Sequence, residues 1–250
     1  MAGLHAFHTQ PVPQGSGEIT LDANESAHLV KSLRAREGEP IQVFNGAGRV
    51  WNGAVADANA RALVMRVESE IIHKQIIPSL VLAQTLPKGS MMDDIVRGAV
   101  EMGVAVIQPL FSERCEVRLD ADRAEGKLER WRSIAVEACK QSGNPFLPEI
   151  HPPMSLKSWV AKPMENTFRM VGSLEPEMPR LSDLKIEDAR IGELLMLIGP
   201  EGDFSPDEYT LIREQGFQGV RFGANILRVH TAALYALASM DQFRQRVFPS

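Results

Sequence analysis

From Ser79 onward the chain alternates between short apolar runs and amphipathic stretches, and this alternation constrains the fold more than any other feature. "SLVLAQTL" reads as a strand and "MMDDIVRGAVEMG" as a helix stopped at Gly103; "VAVIQPLFS" reads as a strand and "ADRAEGKLERWRSIAVEACKQSG" as a long helix ended by Gly143. "FRMVGSL", "LLMLIG" and "GVRFG" follow as strands, and "TAALYALASMDQFRQRV" closes the chain as a helix capped by Thr231. Such alternation predicts a largely parallel sheet with helices on both faces.

The preceding stretch has a different rhythm. From Ile19 to about Ile72 come the β-like segments "EITL", "PIQVFNGAGRVWNGAVADA" and "ALVMRVESEII", with Asn45-Gly46 as a hairpin signal. One helical stretch, "NESAHLVKSLRA", interrupts them; Asn24 is its expected N-cap, and Leu29 and Leu33 are spaced for one buried face. The glycines of "GAGRVWNG" suggest a dinucleotide fingerprint, but Trp51 stands where the third glycine belongs and no crossover helix follows, so the segment reads as a hairpin. Two domains are expected, 1–74 and 75–250, divided near Lys74 to Pro78.

Charge and cysteine content set limits on function. The chain has 27 Lys and Arg against 32 Asp and Glu, so any contact with nucleic acid must come from local basic patches. Cys115 and Cys139 form neither a disulfide framework nor a zinc pattern, and no metal site is expected. The N-terminal segment lacks a secretory pattern and no apolar run approaches the roughly 20 residues of a membrane helix. A cytoplasmic protein is expected.

The chemistry concentrates in two glycine turns. In "LLMLIGPEGDFSPDE", Ser205, Pro206, Asp207 and Glu208 form a capping box that starts a helix. Asp203 is either a stabilising charge near that helix start or a ligand contact. Glu201 lies between Gly199 and Gly202; its carboxylate would repel a phosphate but could accept hydrogen bonds from hydroxyl or amino groups, or face a cation. A second turn, "RFGANILRVHTAALYA", repeats the pattern, with Gly223 ending a strand and Ile226 and Leu227 supplying apolar surface. Two such turns at neighbouring strand ends suit a flat, mostly uncharged ligand such as a nucleoside.

These two stretches together resemble the cofactor loops of the SPOUT methyltransferases, specifically the RsmE family, and the resemblance extends through "AHLVKSLRAREGEPIQVFNGAG", "VEMGVAVIQPLFSERCEVRLD" and "RWRSIAVEACKQSGNPFLPEI". It implies an α/β domain, a SPOUT-type trefoil-knotted parallel sheet, preceded by a small PUA-like β-barrel domain that helps bind RNA. It implies a homodimer using S-adenosyl-L-methionine to methylate N3 of a uridine in 16S ribosomal RNA of the small ribosomal subunit. On this resemblance the cofactor residues are Leu174, Gly199, Glu201, Gly202, Phe222, Gly223, Ile226, Leu227 and Ala232. Arg228 and Arg114 are candidates for RNA or base contact, each with a surface ion pair as the alternative. His28 and Arg34, on the helix of the small domain, are RNA candidates or simply a packed histidine and a solvated arginine. Glu101 and Glu137 are expected to hold loops or the dimer in place.

The chain also departs from the family pattern. The family usually has arginine at Ala6, lysine at Gly98, arginine at Asn144 and Asn225, glycine at Asp203, and threonine-glutamate at Val229-His230. Four of these changes remove a cation, which predicts weaker and less salt-dependent RNA binding. His230 is either a base for the uracil N3 proton or a first-turn helix residue. Two further readings stay open: a divergent SPOUT protein acting on another RNA, and a catalytically weak RNA-binding or ribosome-assembly factor.

Overall fold

The structure is a computed structural model that describes all residues except 1–2, 14, 118–119, 176, 186–189 and 249–250. The chain divides into two compact units, 1–75 with 136–147, and 76–135 with 148–250. A single cut near residue 74 therefore omits a segment: the C-terminal turns of the long helix and the loop after it group with the first unit.

In the first unit β1 (Leu4–Phe7), β2 (Glu18–Thr20), β3 (Pro40–Phe44), β4 (Arg49–Asp57) and β5 (Val64–Ile72) form one sheet in the order β1-β3-β4-β5-β2. Only the β1–β3 pair is parallel. β3 and β4 are the expected hairpin. Asn45 Oδ1 accepts the N–H groups of Ala47 and Arg49, while Gly46 and Gly48 take positive φ. Trp51 lies in the unit's core beside Leu29, Val43 and Met65, which is what a hairpin strand requires and a phosphate loop does not.

The helix of this unit differs from its sequence reading. Helix α1 (Ala23–Ala27) is capped by Asp22, whose carboxylate accepts from the N–H groups of Asn24 and Glu25 at 2.8 and 2.9 Å. It then widens into a π-turn over His28–Ser32. The extra residue per turn rotates the following side chains, so Leu29 is fully buried and Leu33 is 49% exposed. Arg34 ends the turn at φ 58, with its side chain in solvent. Within the same unit the buried Lys140 ammonium pairs with Glu25 at 3.0 Å and Glu137 at 2.6 Å. Burial opposes its charge, but the two carboxylates outweigh burial and raise the lysine above its ordinary range.

The second unit is the expected α/β layer. It contains β6 (Ser79–Thr85), α2 (Met91–Glu101), β7 (Val104–Phe111), α3 (Ala121–Ser142, whose last turns group with the first unit), β8 (Glu149–Ile150), β9 (Met154–Ser155) and α4 (Leu156–Val160). These are followed by β10 (Thr167–Gly172), β11 (Glu193–Ile198), α5 (Pro206–Glu214), β12 (Gln218–Val220) and α6 (Val229–Val247). The sheet order is β12-β10-β11-β6-β7-β8, with β9 also beside β7, and every pairing is parallel. Helix α6 starts earlier than expected. Its N-cap is Arg228, in extended conformation, because Val229 is already turned into the core; Thr231 is three residues inside.

Ala6 and Gly98, two of the positions where the family resemblance implies a cation, are both buried. Ala6 is fully buried in the first unit's core. Gly98 lies beneath α6, where an added Cβ would stand 2.6 Å from Leu234 Cδ2. Close packing sets the residue at both positions. Asn144 accepts from the Phe146 N–H at 3.0 Å, and Asn225 is exposed on a loop.

Candidate functional site

In a parallel sheet the strand ends point the same way, so the loops after them converge on one edge. Here the loops following β6, β10, β11 and β12 enclose a cavity of about 770 Å³, within the range of small-molecule sites. Its walls are Gly172 to Glu175, Ile198 to Glu201 with Asp203, and Arg221 to Val229 with Ala232, completed by Lys88 and Met91.

Of the residues expected to hold a cofactor, Leu174, Gly199, Glu201, Phe222, Gly223, Ile226, Leu227 and Ala232 line this cavity. Gly202 does not line the cavity; its carbonyl accepts from Arg114 Nη1 at 2.9 Å. Arg114 is thus engaged in fastening the turn. Arg228 lines the cavity and is exposed, and its guanidinium forms no hydrogen bond or ion pair with another described residue. His230 is half-buried on the first turn of α6 and does not line the cavity. His28 and Arg34 belong to the first unit.

The turn carrying Glu201 is braced on several sides. Glu201 Oε1 accepts from the Lys88 N–H at 3.1 Å, joining the loop after β6 to that after β11, and the Thr85 hydroxyl donates to the Ile198 carbonyl. Ser205 and Glu208 form the expected capping box of α5. Glu208 does more than the motif requires: while Oε2 accepts from the Ser205 N–H at 3.0 Å, Oε1 accepts from the Glu113 N–H at 2.8 Å. One buried carboxylate therefore fixes both the helix start and the loop that carries Arg114. Replacing Glu208 with alanine is expected to cost about 2 kcal/mol, combining a lost cap with stranded amides. Denaturant unfolding reads the loss, and hydrogen exchange at Glu113 reads the loosened loop.

Asp203 occupies a left-handed backbone position, φ 59, where glycine is at ease and an aspartate is tolerated because its short side chain bonds locally. Its Oδ1 accepts from the Tyr209 hydroxyl and from the Phe204 N–H, both at 2.8 Å. Burial, and then the neighbouring Asp203 carboxylate, push the Tyr209 phenol well above its ordinary value, so it remains a donor.

Most other charges of the wall are committed elsewhere. Lys88 Nζ pairs with Glu116 at 2.7 Å, Glu175 with the Arg213 guanidinium through both oxygens, and Arg221 Nε donates to the Met178 carbonyl. A phosphate would find no convergent cations, whereas a nucleoside with a cationic centre would meet apolar walls, backbone and carboxylates. Among the described residues no group of His, Cys, Asp and Glu could hold a metal, and no helix is long and apolar enough to cross a membrane.

The family profile described as an RNA methyltransferase domain matches residues 75–241, and that described as an RNA methyltransferase PUA domain matches 21–68. Among curated relatives, Ribosomal RNA small subunit methyltransferase E of Synechocystis is 31% identical over 89% of this chain and 72% of its own length. The Mycobacterium tuberculosis protein of the same name is 28% identical, covering 96% and 92%. The fold closely matches the Neisseria gonorrhoeae methyltransferase E bound to S-adenosyl methionine, with TM-score 0.86, 29% identity and coverage of 96% and 97%. A Legionella pneumophila methyltransferase in complex with the bound cofactor SAM gives TM-score 0.86 at 26% identity, covering 98% of each chain. The parallel-sheet unit and the curled β unit are thus the two parts of one known arrangement, and the chain belongs to the RNA methyltransferase family that carries an N-terminal PUA domain.

Proposed function

We propose that the chain uses S-adenosyl-L-methionine to methylate N3 of a uridine in 16S ribosomal RNA of the small ribosomal subunit. The observation that carries this reading is the cavity at the strand ends, where the glycine turns and the carboxylates of Glu201 and Asp203 fit a sulfonium nucleoside. The solved relative from Neisseria gonorrhoeae, alike over nearly the whole chain, binds that cofactor.

S-adenosylmethionine supplies a methyl group on a positively charged sulfur; the protein must position the base and manage its proton. Uracil N3 becomes nucleophilic as its proton leaves, which spreads negative charge over the imide. Arg228, on the cavity wall and without a described partner, stabilises that charge. Arg114 and Glu208 act by holding the Gly199–Gly202 turn and the loop facing it. His230, off the wall, serves the start of α6. His230→Ala is accordingly expected to leave the single-turnover rate unchanged at every pH; a pH-dependent loss would make it the base.

The first unit, with His28 and exposed Arg34, grips RNA phosphates in this reading. The family resemblance further supports a homodimer, a trefoil knot in the 75–250 domain, and action in the cytoplasm, where ribosomal subunits are assembled. Labelled S-adenosylmethionine offered separately with undermodified 30S subunits, naked 16S RNA and transfer RNA, followed by mapping of the methylated base, tests the proposal. Transfer to N3 of one uridine in the small subunit is expected. Transfer only to transfer RNA would redirect the substrate, and no transfer to any RNA would leave a binding or assembly role.

A further inference from the structure

We infer that Asp203 makes the cavity discriminate the positively charged methyl donor from the neutral thioether left after transfer, an inference that rests on the cofactor reading above. Of the six ionisable side chains on the wall, Lys88 and Glu175 are neutralised by Glu116 and Arg213, and Arg221 is occupied by a backbone carbonyl. Glu201 and Asp203 remain against Arg228. Glu201 spends one oxygen on the Lys88 N–H of its own scaffold.

Asp203 is the more rigidly aimed of the two. Its Oδ1 is held by two donors, and one of them, Tyr209, is itself fixed edge-on against Phe204 at 5.5 Å and beneath the Arg213 guanidinium at 5.5 Å. Oδ2 makes no hydrogen bond with another described residue. A carboxylate kept at a left-handed backbone position, locked at one oxygen and uncommitted at the other, sits on the wall of a cavity. Its attraction for a sulfonium disappears once the methyl group has left, since the sulfur is then neutral. A hydrogen bond to the ribose or to the amino group would be the same before and after, so the two roles separate cleanly.

Calorimetry with S-adenosylmethionine and S-adenosylhomocysteine measures the preference directly. The parent protein is expected to bind the charged form more tightly, and Asp203→Asn to shrink that preference by roughly tenfold while homocysteine-form affinity holds. Asp203→Gly, which relaxes the backbone, should give the same loss, so a folding defect of either variant is recognisable. Tyr209→Phe, which removes one of the two donors to Oδ1, should give an intermediate preference. Equal weakening of both ligands would overturn the inference and assign Asp203 to a group they share. An unmoved preference in both variants would overturn it too, leaving the cofactor reading intact. Failure of the parent protein to bind either ligand would overturn both.

Discussion

Replacing Arg228 with alanine is expected to lower single-turnover methyl transfer about a hundredfold while leaving thermal stability unchanged. The backbone of Arg228 does the structural work at this position: its carbonyl accepts the Ala232 N–H at 2.8 Å to open α6, and its side chain provides no cap. The guanidinium is exposed, so removing it strands no buried partner. What disappears is a cation at the edge of the cavity when the imide becomes anionic. Arg228→Lys should recover part of the rate, because the charge returns without the planar fork. Cofactor affinity is the control. If affinity falls as far as the rate, the guanidinium holds the cofactor and another group serves the base.

The largest expected loss of stability lies in the first unit. Gly53 stands in β4 where the pairing with β5 shifts register, and a Cβ built there would lie 1.9 Å from the Arg66 carbonyl oxygen and 2.9 Å from Met65 Cε. Neither neighbour has room to yield. Arg66 is paired on its other edge with Glu18 of β2, and Met65 is fully buried in the core. Gly53→Ala should therefore cost about 3 kcal/mol or more, at the upper end for overpacking. A fall of several degrees in Tm, with faster hydrogen exchange along β4 and β5, is the expected result. A variant with the parent's Tm would show that the sheet accommodates the methyl group.

Much of this could be read from residue order because the signals were local. The strand–helix alternation after Ser79, the Asn45-Gly46 hairpin and the Ser205–Glu208 capping box each depend on neighbouring residues, and each is present. What escaped depends on pairing at a distance. Strands β8 and β9 have two residues each, too few for any period, and exist because β7 offers an edge. The π-turn that exposes Leu33 interrupts a helix whose hydrophobic spacing looked regular. The first-unit membership of 136–147 is set by contacts such as Lys140 with Glu25, more than a hundred residues apart in sequence.

The site shows the same division. The turns Gly199–Gly202 and Gly223–Leu227 announced themselves through glycine spacing, and most of their expected members line the cavity. Lys88, on the loop after β6, and Met91, the first residue of α2, carry no motif and reach the cavity only through the sheet order. Arg114 reads in the sequence as a cation, but only the fold shows its guanidinium on the Gly202 carbonyl. Glu208 reads in the sequence as a helix-start residue, and its hold on Glu113 has no sequence signal at all.

The sheet order has a consequence for how the protein is made. One of the two neighbours of β6, β11, is translated more than a hundred residues after it, and the Thr85 to Ile198 hydrogen bond closes that gap. Apart from Lys88 and Met91, every wall of the cavity belongs to residues from Gly172 to Ala232. A nascent chain that has passed β10 but not β12 has no closed cavity to offer, so cofactor binding becomes available only once β12 and the start of α6 have been made. Ligand capture in this protein thus reports a chain translated past the start of α6, and chains stalled before it would be blind to the cofactor.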